Sequence, residues 1–386
     1  MKLNFRLNYR LLFLVALLGG LSAREIALEL RPTFLRPGLH LFAYVGNTSD
    51  GTVTAIDLIK LAAVATIPVG GGPTGLRAHP TRKEIWGLSS AGGYAWVIDT
   101  ESSREVARIP VGSQPYALDF SPDGSMAYVA ASGSNSIVAI DCATRQVVAR
   151  GRAGRRPWIA RVSPDGKMLV VSNHEDSTVS ILDASTLASL AVVKVVPHPE
   201  QIVILPDSSK AFISSGTTDQ ISAVDLKRKV LLTNIVLGGR ADDLILKPDG
   251  GELFILSSEV HGLLIVNTQS NEVAQFLVLG MSPTDGVLST NRGMLYVSDT
   301  AGGDMVPIVI NSRQITHPIP VGQGPGTCAM TPGGDELLVV DAGSDDLAVI
   351  RTRTGAPAEG TLDPPPGPMT LIPLGGKPRD LAIKLF

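Results

Sequence analysis

Eight times between Tyr44 and its C-terminus the chain returns to a short apolar run centred on one residue: Tyr44, Trp86, Tyr128, Val170, Ile213, Phe254, Tyr296 and Leu338. The steps between them are 42, 42, 42, 43, 41, 42 and 42 residues. A period of this length, filled with short apolar runs and turn residues, is the mark of a four-stranded propeller blade, a unit that buries its sheet faces only by stacking on copies of itself. The repeat outweighs the prior that 386 residues make two or three domains, and argues for one large all-β ring. Forty glycines and 27 prolines suit short strands joined by tight turns.

The third copy shows how a blade is written. Pro115-Tyr116-Ala117-Leu118-Asp119-Phe120 reads as inner strand A and ends at the turn Ser121-Pro122-Asp123-Gly124, where Pro fixes one dihedral and Gly admits a positive one. Strand B follows at Met126 to Ala130, strand C at Ile137 to Asp141 and strand D at Gln146 to Arg150. A Gly-x-x-Pro crossover, here Gly154 to Pro157, leads into the next blade. Strand A recurs at Pro73, Pro115, Pro157, Pro199, Ala241, Pro283, Pro325 and Pro378, giving eight blades, with seven as the runner-up count. The first B strand, at Tyr44, has no A strand before it, and the chain ends on one, so Pro378 to Leu385 is expected to close blade one.

Several of these segments resemble the YVTN propeller repeats. Tyr44-Val45-Gly46-Asn47 is the nearest copy, supported by Val53 to Asp57, by Ile-Pro-Val-Gly at Ile67 to Gly70, Ile109 to Gly112 and Ile319 to Gly322, and by the Ser-Pro-Asp-Gly turns. The resemblance spans roughly residues 42 to 386 and implies a propeller with an extracytoplasmic or cell-surface binding role. It implies no reaction centre, because the matching residues are strand and turn positions.

Residues 1–23 read as a signal peptide: Lys2, Arg6 and Arg10, then the apolar run Leu11 to Leu18, then small residues up to Ala23. The run is shorter than the roughly 20 residues that a spanning helix needs, so no transmembrane segment is expected after cleavage. Cleavage takes the formal charge from −3 to −6, and the exported product is a poor candidate for nucleic-acid binding. Residues 24–41 form a leader, residues 42–386 the propeller, and Arg351 to Pro368 an insertion loop in blade eight. Cys142 and Cys328 occupy different repeat positions and are not expected to pair. Asn47-Thr48-Ser49 fits a glycosylation triplet of a kind common by chance.

Strand alternation puts the B-to-C turns and D-to-A crossovers on one rim, around the mouth of a channel lined by A strands. The residue after each A-strand start is then Thr74, Tyr116, Trp158, Glu200, Asp242, Thr284, Gly326 or Arg379, with Arg155, Arg156, His198, Arg240, Asp243, Asp285 and Asp380 beside them. Arginine forks and two aromatic faces suit a polar or anionic ligand, so Tyr116, Arg155, Arg156, Trp158, His198, Glu200, Arg240, Asp242, Asp285 and Arg379 form the candidate rim. Against this stands the plainer reading that these groups satisfy one another and water. His174, Glu175 and His198 are the weak metal candidates, without any family-defining spacing. Walker loops, Gly-x-Ser-x-Gly, His-Glu-x-x-His and Cys-x-x-Cys-His are absent.

The leading expectation is therefore an exported, non-catalytic binding module whose rim takes a protein, a glycan or a small polar ligand, with no cofactor. Two alternatives remain open: a lactonase-like hydrolase with a metal or water at the channel mouth, and a cofactor-bearing propeller similar to the eight-bladed d-type haem domains, favoured by blade count, His174 and His198.

Overall fold

The computed structural model describes residues 40–279, 282–290, 293–352 and 368–386. The expected signal peptide, most of the leader and most of the blade-eight insertion lie outside the described residues. The chain forms eight antiparallel sheets, each ordered A-B-C-D from the inside outward. Seven of the eight A strands begin at the expected proline. In blade six the strand is Asp243–Leu246 rather than a strand from Ala241. No proline stands there, and Asp242 instead accepts the Ser258 N–H at 2.6 Å and donates its own N–H to Leu256 at 2.8 Å, which delays the ladder. The D strand of blade seven is split into Gln314–Ile315 and Ile319–Pro320, with His317 between the two.

Strands B and C sit between neighbouring blades and are buried on both faces, which explains why they read as continuous apolar runs. Strand D is the outer edge and alternates exposed and half-buried residues, as in Gln146–Arg152. The core is divided into eight clusters, each shared by two consecutive blades. Trp86, Val97, Leu118 and Val129, for example, join blades two and three.

The ring closes as the sequence indicates. Pro378–Leu385 pairs antiparallel with Leu41–Asn47, setting Tyr44 opposite Ala382 and Val45 opposite Leu381. His40 and Phe386 exchange backbone hydrogen bonds of 2.8 and 2.9 Å at the end of that ladder. Leu338, Val340 and Leu347 of blade eight then pack with Ala43, Val45 and Leu381 of blade one in a single cluster. Both cysteines are buried and free. Asn47 is fully buried, with its amide donating to Thr52 and Thr54 at 2.9 and 2.8 Å, so the glycosylation triplet is inaccessible in the folded protein. No helix among the described residues is long and apolar enough to cross a membrane.

Candidate functional site

Tyr116 and Trp158 are the second residues of the A strands of blades three and four, 42 positions apart. Equal register brings their rings together, stacked at 3.8 Å between centroids. The B-to-C turn of blade four sets His174 5.0 Å from Trp158, and the crossover into blade five sets His198 4.8 Å from His174. The two Nδ1 atoms are 3.4 Å apart. Glu200, the next residue of the same ring, approaches His174 Nε2 at 3.6 Å. Four rings thus form a ladder across three blades of the channel mouth.

The crossover geometry contributes. His198 and Arg156 stand immediately before the A-strand prolines and adopt positive φ angles of 46° and 52°, a conformation in which Gly72 and Gly324 hold the same position of other blades. Arg156 fixes this turn by donating its backbone N–H to Asn135 at 2.8 Å, and its guanidinium lies 5.2 Å from the Trp158 ring while approaching Glu175 at 3.3 Å. Arg155 is tied to Asp176 through its backbone N–H at 2.6 Å and Nε at 2.5 Å. In the adjoining crossover into blade six, Arg240 pairs loosely with Asp242 and Glu259 at 3.7 and 3.9 Å, and Arg379 is exposed.

Burial lowers the pKa of His174, with the neighbouring His198 adding to the effect and Glu200 opposing it. His174 is therefore a neutral imidazole near pH 7. Burial likewise raises the Tyr116 pKa, offset in part by Arg379.

One residue deeper, the side chains face the channel and bridge to the next blade. Asp380 accepts the Gly75 N–H at 2.8 Å, Gln201 accepts the Leu244 N–H at 3.1 Å, and Asp243 accepts the Gly286 N–H at 3.3 Å. Asp285, expected at the rim, belongs to this inner tier and forms a pair with Asp243. Depth inside the ring raises the Asp243 pKa to about 6, against the lowering effect of its hydrogen bonds, that from Asp285 included, and raises that of Asp285 well above its ordinary value, with the Asp243 charge adding to the effect. The pair shares a proton at neutral pH. This tier was legible as the second position after each A-strand start, but its role in joining blades was not, because the acceptor lies on the following repeat.

The structure brings Tyr116, Arg155, Arg156, Trp158, His198 and Glu200 of the expected rim onto one arc, with His174 and Glu175 beside them. Arg240 and Asp242 stand next to this arc at the start of blade six, and Arg379 of blade one is near enough to Tyr116 to offset its raised pKa. No group of three His, Cys, Asp or Glu residues among the described residues has the geometry to hold a metal ion, so His174, Glu175 and His198 make no three-ligand centre.

Residues 87–213 match the family model described as the cytochrome D1 heme domain. No curated protein matches the chain. Among solved structures, the dihydro-heme d1 dehydrogenase NirN in complex with DHE has a TM-score of 0.73 at 16% identity, over 88% of this chain and 74% of that one. Kuenenia stuttgartiensis hydrazine synthase gives 0.60 at 17%, over 73% and 96%. A functionally unknown protein from Desulfotomaculum acetoxidans gives 0.58 at 14%, over 72% and 94%. The expectation of no cofactor is corrected by the family match, whose model describes a haem domain, while the NirN likeness supports the fold. The propeller implied by the YVTN resemblance stands, while that family label gains no support: the matched stretch, which carries the whole ladder from Tyr116 to Glu200, is similar to a cytochrome D1 heme domain.

Proposed function

We propose that the channel mouth binds a haem d1-type tetrapyrrole. The observation that carries this reading is the Tyr116–Trp158–His174–His198 ladder, which lies entirely within the stretch similar to the cytochrome D1 heme domain. The donor set fits the group. His174 faces His198 through Nδ1 and Glu200 through Nε2, and among the described residues His198 Nε2 has no hydrogen-bond partner, which leaves that nitrogen as the one that would hold an iron. Tyr116 and Trp158 supply flat apolar faces, and Arg155, Arg156 and Arg379 supply cationic partners for peripheral carboxylates. When bound, the group would contribute a redox-active iron; the protein's part is to hold it, orient it and limit water on one side.

This reading replaces the cofactor-free binding module as the principal function. Residues 1–23 support export, which would place the cofactor outside the cytoplasm. The test is titration of purified protein with haem d1, followed by visible absorbance. A saturable spectrum is expected, with His198→Ala shifting the bands and Trp158→Ala weakening affinity roughly tenfold through lost stacking. An unchanged haem spectrum at equimolar protein would refute the proposal.

A further inference from the structure

Between Arg145 and Arg161 the chain carries six arginines and no acidic residue, in a protein of formal charge −3. Arg145 pairs with Glu84, Arg155 with Asp176 and Arg156 with Glu175, and Arg161 lies inward on the A strand of blade four with Asp119 as a charged neighbour. Arg150 and Arg152 differ. They alternate along the exposed face of the outermost strand of blade three, Gln146–Arg152. Arg150 is locked by donating to the carbonyls of Val111 and Pro110 at 3.0 and 3.2 Å, bonds that fix the guanidinium and leave its charge unbalanced. No described carboxylate pairs with Arg150 or Arg152. Elsewhere the outer strands balance such charges, as where Arg108 pairs with Glu105 in blade two.

The two arginines line a groove of about 640 Å³ whose other walls are Ser134, Asn135, Arg155 and Asp176. Asp176 is the only acid there, and Arg155 already occupies it through two bonds. The lining thus keeps two net positive charges. The groove begins at the last three residues of Gln146–Arg152, a strand that pairs on one side only, being the last of its sheet. Its free edge offers backbone donors and acceptors at strand spacing, and its exposed side chains repeat every second residue.

From this combination we infer that the outer edge of blade three docks an extended acidic segment of a partner protein. The segment adds as a fifth strand, its backbone pairing with Gln146–Arg152 and its alternate carboxylates meeting Arg150 and Arg152. A protein segment fits better than a small anion, because the charges are spread along an open edge rather than converged in an enclosed pocket. The inference is independent of cofactor binding, since neither arginine belongs to the ladder.

The probe is a labelled peptide of about twelve residues alternating Glu and Val, followed by fluorescence anisotropy and by amide hydrogen exchange of the full-length protein. Binding is expected at low salt, weakening roughly tenfold or more between 20 and 200 mM salt, with exchange slowed specifically in 146–152. Arg150→Glu with Arg152→Glu should abolish it while leaving the circular dichroism and thermal transition unchanged. Arg104→Glu, on the outer strand of blade two, serves as the charge control and should have no effect. The inference is overturned by absence of binding at low salt, by equal loss in the control, or by protection spread over other outer strands. Equal competition by duplex DNA or by phosphatidylserine vesicles would overturn it too, marking the patch as a general polyanion surface.

Discussion

His198 illustrates how a single position acquires a role from its place in the repeat. The residue before each A-strand proline is turned into the left-handed region in several blades, and there it overhangs the channel. Glycine at that position of other blades serves the turn alone, whereas His198 also brings an imidazole face to face with His174 at the mouth. Asp243 carries a second residue-scale prediction. Its native pKa of about 6 exceeds that of an ordinary unfolded carboxyl, so the unfolded chain releases its proton first as pH rises. The favourable contribution is complete below roughly pH 4, declines through about pH 6 and is lost above. Asp243→Asn keeps an oxygen for the Gly286 N–H while removing the ionisation. The variant should match the parent near pH 4 and exceed it by about 1–3 kcal/mol at pH 7.5, measured by urea unfolding. Equal stability at both pH values would contradict the shared proton.

At the scale of strands, the inner tier ties each A strand to the next through side-chain acceptors. Asp380 is the clearest case, because it joins the C-terminal strand to blade two. Asp380→Ala leaves the Gly75 N–H without that partner and should cost about 1–3 kcal/mol, whereas Asp380→Asn should retain most of the stability. Urea midpoints of the two variants separate an orphaned donor from a lost charge. The Ser-Pro-Asp-Gly turn shows an element that sequence reads directly. Gly124 takes φ of 71°, and Ser121 and Ser125 donate to Asp123, holding its carboxyl at about 2. Every part of that turn is local in sequence, unlike the bridges of the inner tier.

The molecule as a whole depends on closure. Each cluster of the core belongs to two blades, so stability is a sum over neighbours with one term joining the chain's ends. Deleting Pro378 to Phe386 removes Leu381, Ile383 and Leu385 from that cluster and exposes the edge of Leu41–Asn47. These side chains are half-buried, so each contributes less than the about 1.5–3 kcal/mol of a fully buried one, and together with the lost strand pairing a fall in thermal midpoint is expected. An unchanged midpoint would show that the ring does not rely on its clasp. Blade count, strand order, the clasp and the rim that carries the ladder were all determined by the sequence itself, because a period near 42, alternating apolar runs and turn residues are local or repetitive signals. Tertiary structure alone decided which rim residues meet. Tyr116 and Trp158 meet because two neighbouring A strands share one register, and a B-to-C turn and a crossover bring His174 and His198 beside them, while Arg240 belongs to the crossover into blade six and Arg379 to the A strand of blade one. It also decided that Asp243 and Asp285 share a proton, since that depends on two carboxyls from neighbouring repeats meeting deep inside the ring, where water is too scarce to keep both ionised.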